Sequence, residues 1–546
     1  MNRSLSSGVL SVVSAKVVTL LVGIVSTPLL FRLLEPAGFG DYSFLMSVFS
    51  IYMIFVSSGI ADGVRKFLAE DRSMSDWEPY VVGYYFRLAL LFALTGAFLM
   101  IVSSRAGLVT RLFGAEYTTY FYGLALLVVS VQFRTYSRKT LMGFGLERYS
   151  EPLNVLDKVT FVVFSIPLVY AGFGVAGALA GHAVASIVVG GIGLALVHQH
   201  VSLSSVFRKP PRNFPRKKML TFNSMSIVLL FLLSSLYHID IVMLQHFRES
   251  ADVGNYKAAL TLAEFLWFVP LALQTVYVHS TSELWSRNRT RQITSLASKT
   301  TRYTFLLTAV MAVGLAALAD VAVPFYFGSD ATPAIEPLLL LLPGALGFAL
   351  ARPILAVSQG EGTLRYPVAA TGVAAMINVT LNLLLIPRYG MHGAAVATST
   401  GYGAMFAFHC ISARHVGFDP LADARFGRVV ATTALAAVPI FALATVVANR
   451  WLALAIVPPA GLGIYLTFAV LTGAIEPVEP FEVLAEFPDP IGSRAELVRR
   501  RLEGVHGDLT IAGWFQSLLF LTGVTFLLSG LLLALFGPKG GTPVFG

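Results

Sequence analysis

Long apolar runs broken by short polar stretches fill this chain from end to end. Mean hydropathy predicts fifteen spans, near residues 9–31, 42–62, 81–103, 118–133, 155–171, 174–197, 219–244, 256–279, 303–326, 335–357, 367–386, 392–413, 429–448, 451–473 and 513–536. Most are about 20 residues long, the length at which an α-helix crosses a ~30 Å hydrocarbon core. Strands of a membrane barrel are about ten residues long and alternate in polarity. These runs are nearly continuous, so helices are the expected element. A helix also pairs its own backbone groups, which hydrocarbon demands.

The polar stretches set an orientation. With the N-terminus in the cytoplasm, the inner loops hold 27 Lys and Arg and the outer segments hold 7, as the positive-inside rule requires. Charged residues make up only 13% of the chain, against about 25% in soluble domains, so lipid must solvate much of its surface. The net charge of +9 is explained by the inner loops, and nucleic acid is not an expected partner. The first run is too long for a signal peptide and lacks a small-residue cleavage pattern, so it is read as a span. Cys410 is the sole cysteine, which excludes an internal disulfide and a cysteine metal cluster.

The chain repeats itself. Glu35, Ala37, Gly40, Asp41 and Tyr42 match Glu249, Ala251, Gly254, Asn255 and Tyr256, 214 residues later. Arg148-Tyr149 matches Arg365-Tyr366 at 217, Gly174, Gly177 and Ala178 match Gly390, Gly393 and Ala394 at 216, and Arg87 matches Arg302 at 215. Six spans per repeat is an even number, so the repeats lie parallel, related by an axis along the membrane normal. The expected fold is an all-α polytopic membrane protein of two six-helix lobes, 1–207 and 219–427, joined by a basic cytoplasmic linker at 208–218. Two or three extra C-terminal helices follow: a pair at 428–473, then a cytoplasmic segment at 474–511, then a last span and tail at 512–546.

The stretch Asn378 to Thr398, the run from Asp240 through Gly254, Tyr256 and Ala258, and the opening Leu33 to Tyr42 resemble the polysaccharide-transporter branch of the multidrug/oligosaccharidyl-lipid/polysaccharide flippase superfamily. The resemblance covers about residues 1–430 and extends to 473. It implies a multi-pass protein of the plasma membrane that moves a lipid-linked oligosaccharide, a sugar on a polyprenyl phosphate or diphosphate, from inner to outer leaflet. Membrane lipid and glycan-assembly enzymes are the implied neighbours. Two departures stand out. Ile241 follows Asp240 where relatives often carry Arg, and the tail after about 474 has no counterpart in the pattern.

Moving a phosphate through a bilayer needs cations within the spans, where charge is costly and marks function by default. Lys16 leads, because Thr19, Gly23 and Thr27 continue its face as a small polar stripe; snorkelling to the interface is the alternative. Arg65, Arg87, Lys158 and Lys257 are the other candidate phosphate-binding residues. Positive-inside, positioning or interfacial roles compete at each. Lys158 adjoins Asp157, and helical neighbours do not face one another, so each needs its own partner. Arg352, near the inner end of the tenth span, is read as snorkelling. Asp240 and Glu264 are the acids placed to bind a coupling proton or sodium ion. Pairing with a cation is the competing reading of Asp240, and helix packing that of Glu264.

No cofactor or resident metal is expected. The sequence has no nucleotide-binding G-x-x-x-x-G-K-[ST] and no H-E-x-x-H, and its outer loops are too short to fold into an enzyme domain. The expected class is therefore a secondary-transporter-like flippase and not an enzyme. Two other readings stand beside it: a cation-coupled exporter of drugs or metabolites from the same superfamily, and a non-transporting scaffold in glycan assembly. In the tail, Ser493 and Glu496 form a capping box, with Arg494, Arg499, Arg500 and Arg501 following Ser493 in the same short helix.

Overall fold

A computed structural model describes residues 5–505 except 71–73, 203, 205–206, 223, 480, 482–484 and 486–490. The predicted span at 513–536 lies outside the described residues. Among the described residues every regular element is helical, and ten helices are long and apolar enough to cross a membrane. Three of these, Val18–Ala69, Glu147–His198 and Arg365–Val416, run for 52 residues. At 1.5 Å per residue such a length is about 78 Å, more than twice the hydrocarbon thickness. Each contains residues with non-helical backbone angles: Glu35, Gly172 with Gly174 at the following helix boundary, and Gly390. The predicted span pairs 9–31 with 42–62, 155–171 with 174–197, and 367–386 with 392–413 fall on the two sides of these breaks.

Two of the breaks are one structure used twice. Gly174 has φ 51°, ψ −135° and Gly390 has φ 56°, ψ −132°, a conformation open essentially to glycine alone. The flanking helices then fold back on each other. Ser165 Oγ donates to the Ala178 carbonyl at 3.2 Å in the first hairpin, and Gly401 lies flat against Asn378 in the second. The first hairpin also carries a π-helical turn, Val169–Phe173, absent from its counterpart. A π-bulge inserts one residue into a helix. That accounts for the repeat offset falling from 217 before this turn to 216 after it.

Two compact units are present. One comprises Met1–Leu262, Val323–Leu341 and Leu364–Phe408; the other comprises Ala263–Ala322, Leu342–Thr363 and the described residues from His409 onward. Within the first unit, Trp77–Arg105 shows how the chain meets lipid. Ala89, Ala93 and Ala97 are buried while Leu91, Leu94 and Phe98 are exposed. Small residues face inward to let helices approach, and large ones face hydrocarbon.

The repeated Gly40 and Gly254 meet at a helix crossing in this unit. A Cβ on Gly40 would stand 1.8 Å from the Ser250 carbonyl oxygen, and one on Gly254 would stand 1.9 Å from that of Pro36. The motif shared by the two repeats thus exists to bring their backbones into contact.

In the second unit the tail is tied down. Arg302 on Thr290–Ala317 is fully buried and donates from Nη2 to Glu479 Oε1 at 2.5 Å, with Asp423 at 3.6 Å. Arg425 reaches Glu476 at 2.5 Å and the Gly473 carbonyl at 3.2 Å. Ala474, Ile475 and Phe481 are buried beside these pairs. The helix Ile491–Val505 follows.

Candidate functional site

Asp240, on Ser224–Phe247, is fully buried in the first unit. Its Oδ1 accepts the Ile241 amide at 2.8 Å, and its Oδ2 accepts the Tyr256 hydroxyl at 2.5 Å and the Thr398 hydroxyl at 3.0 Å. Asn378 Nδ2 donates to Thr398 Oγ1 at 3.3 Å, and Asn382 Nδ2 donates to Asn378 Oδ1 at 3.2 Å. Asn382 Oδ1 is buried without a hydrogen-bond partner. Three helices therefore converge on one carboxylate and a set of neutral oxygens. Lys257 lies close enough to bear electrostatically on Asp240 and on His238, but Asp240 forms no ion pair among the described residues. A buried carboxylate held by two hydroxyls and a backbone amide, with an unsatisfied amide oxygen at the far end of the same hydrogen-bond chain, is suited to a proton or a hard monovalent cation, which takes oxygen ligands.

A related cluster sits at the corresponding positions of the first repeat. Tyr42 Oη and His182 Nε2 are 2.7 Å apart. The His182 ring stacks on Phe161 at 3.9 Å and lies near-parallel to Tyr42 at 6.0 Å. Ser26, buried, stands at the offset of Asp240.

Beyond the glycine crossing, Asp41 joins the two repeats. Its Oδ1 accepts the Ser250 hydroxyl at 2.5 Å and the Tyr117 hydroxyl, while Gln245 Nε2 donates to Tyr117 Oη at 2.8 Å and to Ser250 Oγ at 3.0 Å.

The cations predicted from sequence are scattered. Lys16 lies on the first helix, but its side chain is outside the described residues. Its stripe is half-buried, and a Cβ on Gly23 would meet nothing within 4 Å, so that face opens onto space. Leu21 and Val25 on the other side are exposed. Arg65 is exposed on Gly59–Ala69. Arg87 is half-buried and donates to the Arg208 carbonyl in the linker at 3.0 Å. Asp157 pairs with Arg134, whereas half-buried Lys158 forms no ion pair among the described residues. Glu264 ends Ser250–Glu264 and is half-buried.

Sequence reasoning did not assign Tyr256, Thr398, Asn378 or Asn382 to a site, nor Asp41. The signal was in the repeat. Tyr256 and Thr398 occupy the offsets of Tyr42 and His182, and a polar pair preserved at both ends of a duplication marks a contact.

Long paired spans, a duplicated framework and a buried acid with oxygen neighbours define a secondary-transporter fold. A family model described as "Lipid II flippase MurJ" matches residues 155–459, and one described as "Polysaccharide biosynthesis protein" matches residues 5–275. The chain belongs to the multidrug/oligosaccharidyl-lipid/polysaccharide flippase superfamily. Among curated proteins, it is 23% identical over 302 residues to the probable low-salt glycan biosynthesis flippase Agl15 of Haloferax volcanii, covering 54% of this chain and 61% of that protein. It is 22% identical over 275 residues to an uncharacterized membrane protein of Methanocaldococcus jannaschii, covering 49% of this chain and 54% of that one. The chain thus spans less than two thirds of the length of either. A structure of the lipid II flippase MurJ in an inward closed conformation superposes with TM-score 0.67 at 14% identity, covering 85% of this chain and 98% of that one. An inward-facing multidrug-resistance transporter superposes with TM-score 0.63 at 16% identity, covering 73% and 94%.

Proposed function

We propose that this protein flips a lipid-linked oligosaccharide, carried on a polyprenyl phosphate or diphosphate, from the inner to the outer leaflet of the plasma membrane. The match of residues 155–459 to the lipid II flippase family carries the reading. In this reading the N-terminus is cytoplasmic and the two six-helix lobes alternate around the substrate. The protein does no covalent chemistry, and glycan-assembly enzymes supply and consume its cargo. Lys16, Arg65, Arg87, Lys158 and Lys257 are the candidate phosphate contacts.

The cluster around Asp240 is the candidate for ion coupling. A proton or sodium ion there neutralises the carboxylate and changes what Tyr256 and Thr398 hold, which gives the ion differential affinity for the two conformations, as any coupled transport requires. Glu264 is the second candidate acid. The Asp41–Ser250–Tyr117 contacts fasten the repeats at the outer end of their helices, and outward release requires them to part.

The test is flipping of a fluorescent polyprenyl-diphosphate oligosaccharide in proteoliposomes under imposed proton or sodium gradients. Gradient-driven flipping is expected, and Lys16→Ala is expected to slow it. A protein that moves cationic drugs down the same gradients and leaves the lipid in place is an exporter, and the flippase reading is then wrong. A protein that moves neither yet binds glycan-assembly enzymes is a scaffold.

A further inference from the structure

Arg352 is a buried charge of the second unit that neither the tail contacts nor the transport reading uses. It stands on Ile335–Glu361, nine residues from that helix's end, or about 14 Å along the axis. Under the proposed orientation this is the depth of the inner leaflet. The residue is 8% exposed, and its Nε and Nη1 have no hydrogen-bond partner. Among the described residues it joins no ion pair. Snorkelling, the role expected from sequence, does not fit a guanidinium this enclosed.

The surroundings are aromatic. The guanidinium carbon lies 5.3 Å from the centroid of the Phe348 ring, and Phe348 packs against Trp267 at 4.5 Å. His409, fully buried, is close enough to sense the charge of Arg352. A ring face eases the burial of a cation, but it does not accept directed bonds from two separate N–H groups. Arginine stays protonated in proteins, so the charge is not shed. What satisfies a rigid fork of donors on a permanent cation is an oxyanion with several acceptor oxygens.

We infer that Arg352 anchors a site for a lipid-borne phosphate at inner-leaflet depth, walled by Phe348 and His409. The lipid-borne source rests on the proposed flippase function; the anion site does not. Either the phosphate of the polyprenyl-linked cargo or that of an anionic phospholipid supplies the same chemistry.

The experiment uses the full chain in phosphatidylcholine nanodiscs, titrated with polyprenyl diphosphate and separately with phosphatidylglycerol. Tryptophan emission is the readout, since Trp267 abuts Phe348. Arg352→Gln is expected to weaken binding at least about tenfold, and Arg352→Lys, which keeps the charge and loses the fork, by about threefold. Thermal melting checks the fold, and the lysine variant decides the matter if the glutamine variant does not fold. Loss confined to polyprenyl diphosphate assigns the site to the cargo, and equal loss for both lipids assigns it to lipid phosphate in general. Wild-type affinity of Arg352→Gln for both, or of Arg352→Lys should it alone fold, overturns the site. Because binding is read without transport, a wild-type protein that binds but does not flip sinks the flippase reading and leaves this site standing.

Discussion

The two repeats carry the same joint with different chemistry. Tyr42 meets His182 at 2.7 Å in the first, and Tyr256 meets Thr398 at 3.1 Å in the second. Phe161 stacks on His182, and Asn378, at the equivalent offset, donates to Thr398. Ser26 stands at the offset of Asp240. Four positions therefore correspond. Tyrosine stands at one of them in both repeats, and at the other three the first repeat has histidine, phenylalanine and serine where the second has threonine, asparagine and aspartate. A tyrosine bridging the start of one hairpin to another is the framework. The carboxylate, threonine hydroxyl and amides are found in the second copy and not in the first. On the proposed reading, the candidate for ion coupling lies in the second repeat, and the first has no carboxylate at the equivalent position.

The most damaging way to probe the shared framework is at the glycine crossing. Gly40→Val and Gly254→Val each drive a side chain into a backbone carbonyl that has no rotamer to yield. Both are expected to cost more than about 4 kcal/mol, the range of diagnostic core disruption. The outcome is loss of monodisperse protein on gel filtration. If one variant folds normally, the repeats do not share this contact equally.

Next in size is the acid itself. Asp240→Asn keeps the shape and removes the charge, and gradient-driven flipping is expected to fall at least about tenfold while the fold survives. His182→Ala in the first repeat removes a hydrogen bond and a stacked ring. It is expected to cost about 1–3 kcal/mol of stability and to leave coupling intact. Coupling lost in His182→Ala and kept in Asp240→Asn would reverse the assignment of the two repeats.

Much of this was legible from hydropathy and repetition. Fourteen of the predicted spans fall on described helices, since long apolar runs have no other structure in lipid. The fourth span, 118–133, proves to be Tyr117–Gly143, which is not among the ten helices long and apolar enough to cross a membrane. Its Arg134, Arg138 and Lys139 look like loop charges in sequence, but they sit on the helix and meet Asp157, Glu151 and Asp62. The partners of Asp240 were hidden for a different reason. Tyr256 and Thr398 are 142 residues apart and look like ordinary packing residues until the fold brings them to one acid. Arg87 and Arg302 show the limit of the repeat. They match in sequence, yet one holds a linker carbonyl and the other is fully buried against the tail's Glu479.

The finest test separates the two tyrosines, whose rings do the same packing. Tyr42→Phe deletes a neutral hydrogen bond to a histidine that keeps its stack on Phe161, so a loss of about 1 kcal/mol is expected with flipping unchanged. Tyr256→Phe deletes a donor to a buried carboxylate. Bonds to charged groups are worth about 1.5–3 kcal/mol, but Thr398 and the Ile241 amide still donate to Asp240, so the carboxylate is weakened and not orphaned. The expected result is a shift of a few-fold in the ion concentration needed for half-maximal flipping, smaller than the loss in Asp240→Asn. A Tyr42→Phe protein showing the same shift would mean that the hydroxyls act on the fold and not on the acid, and the difference between the repeats would then be one of packing alone.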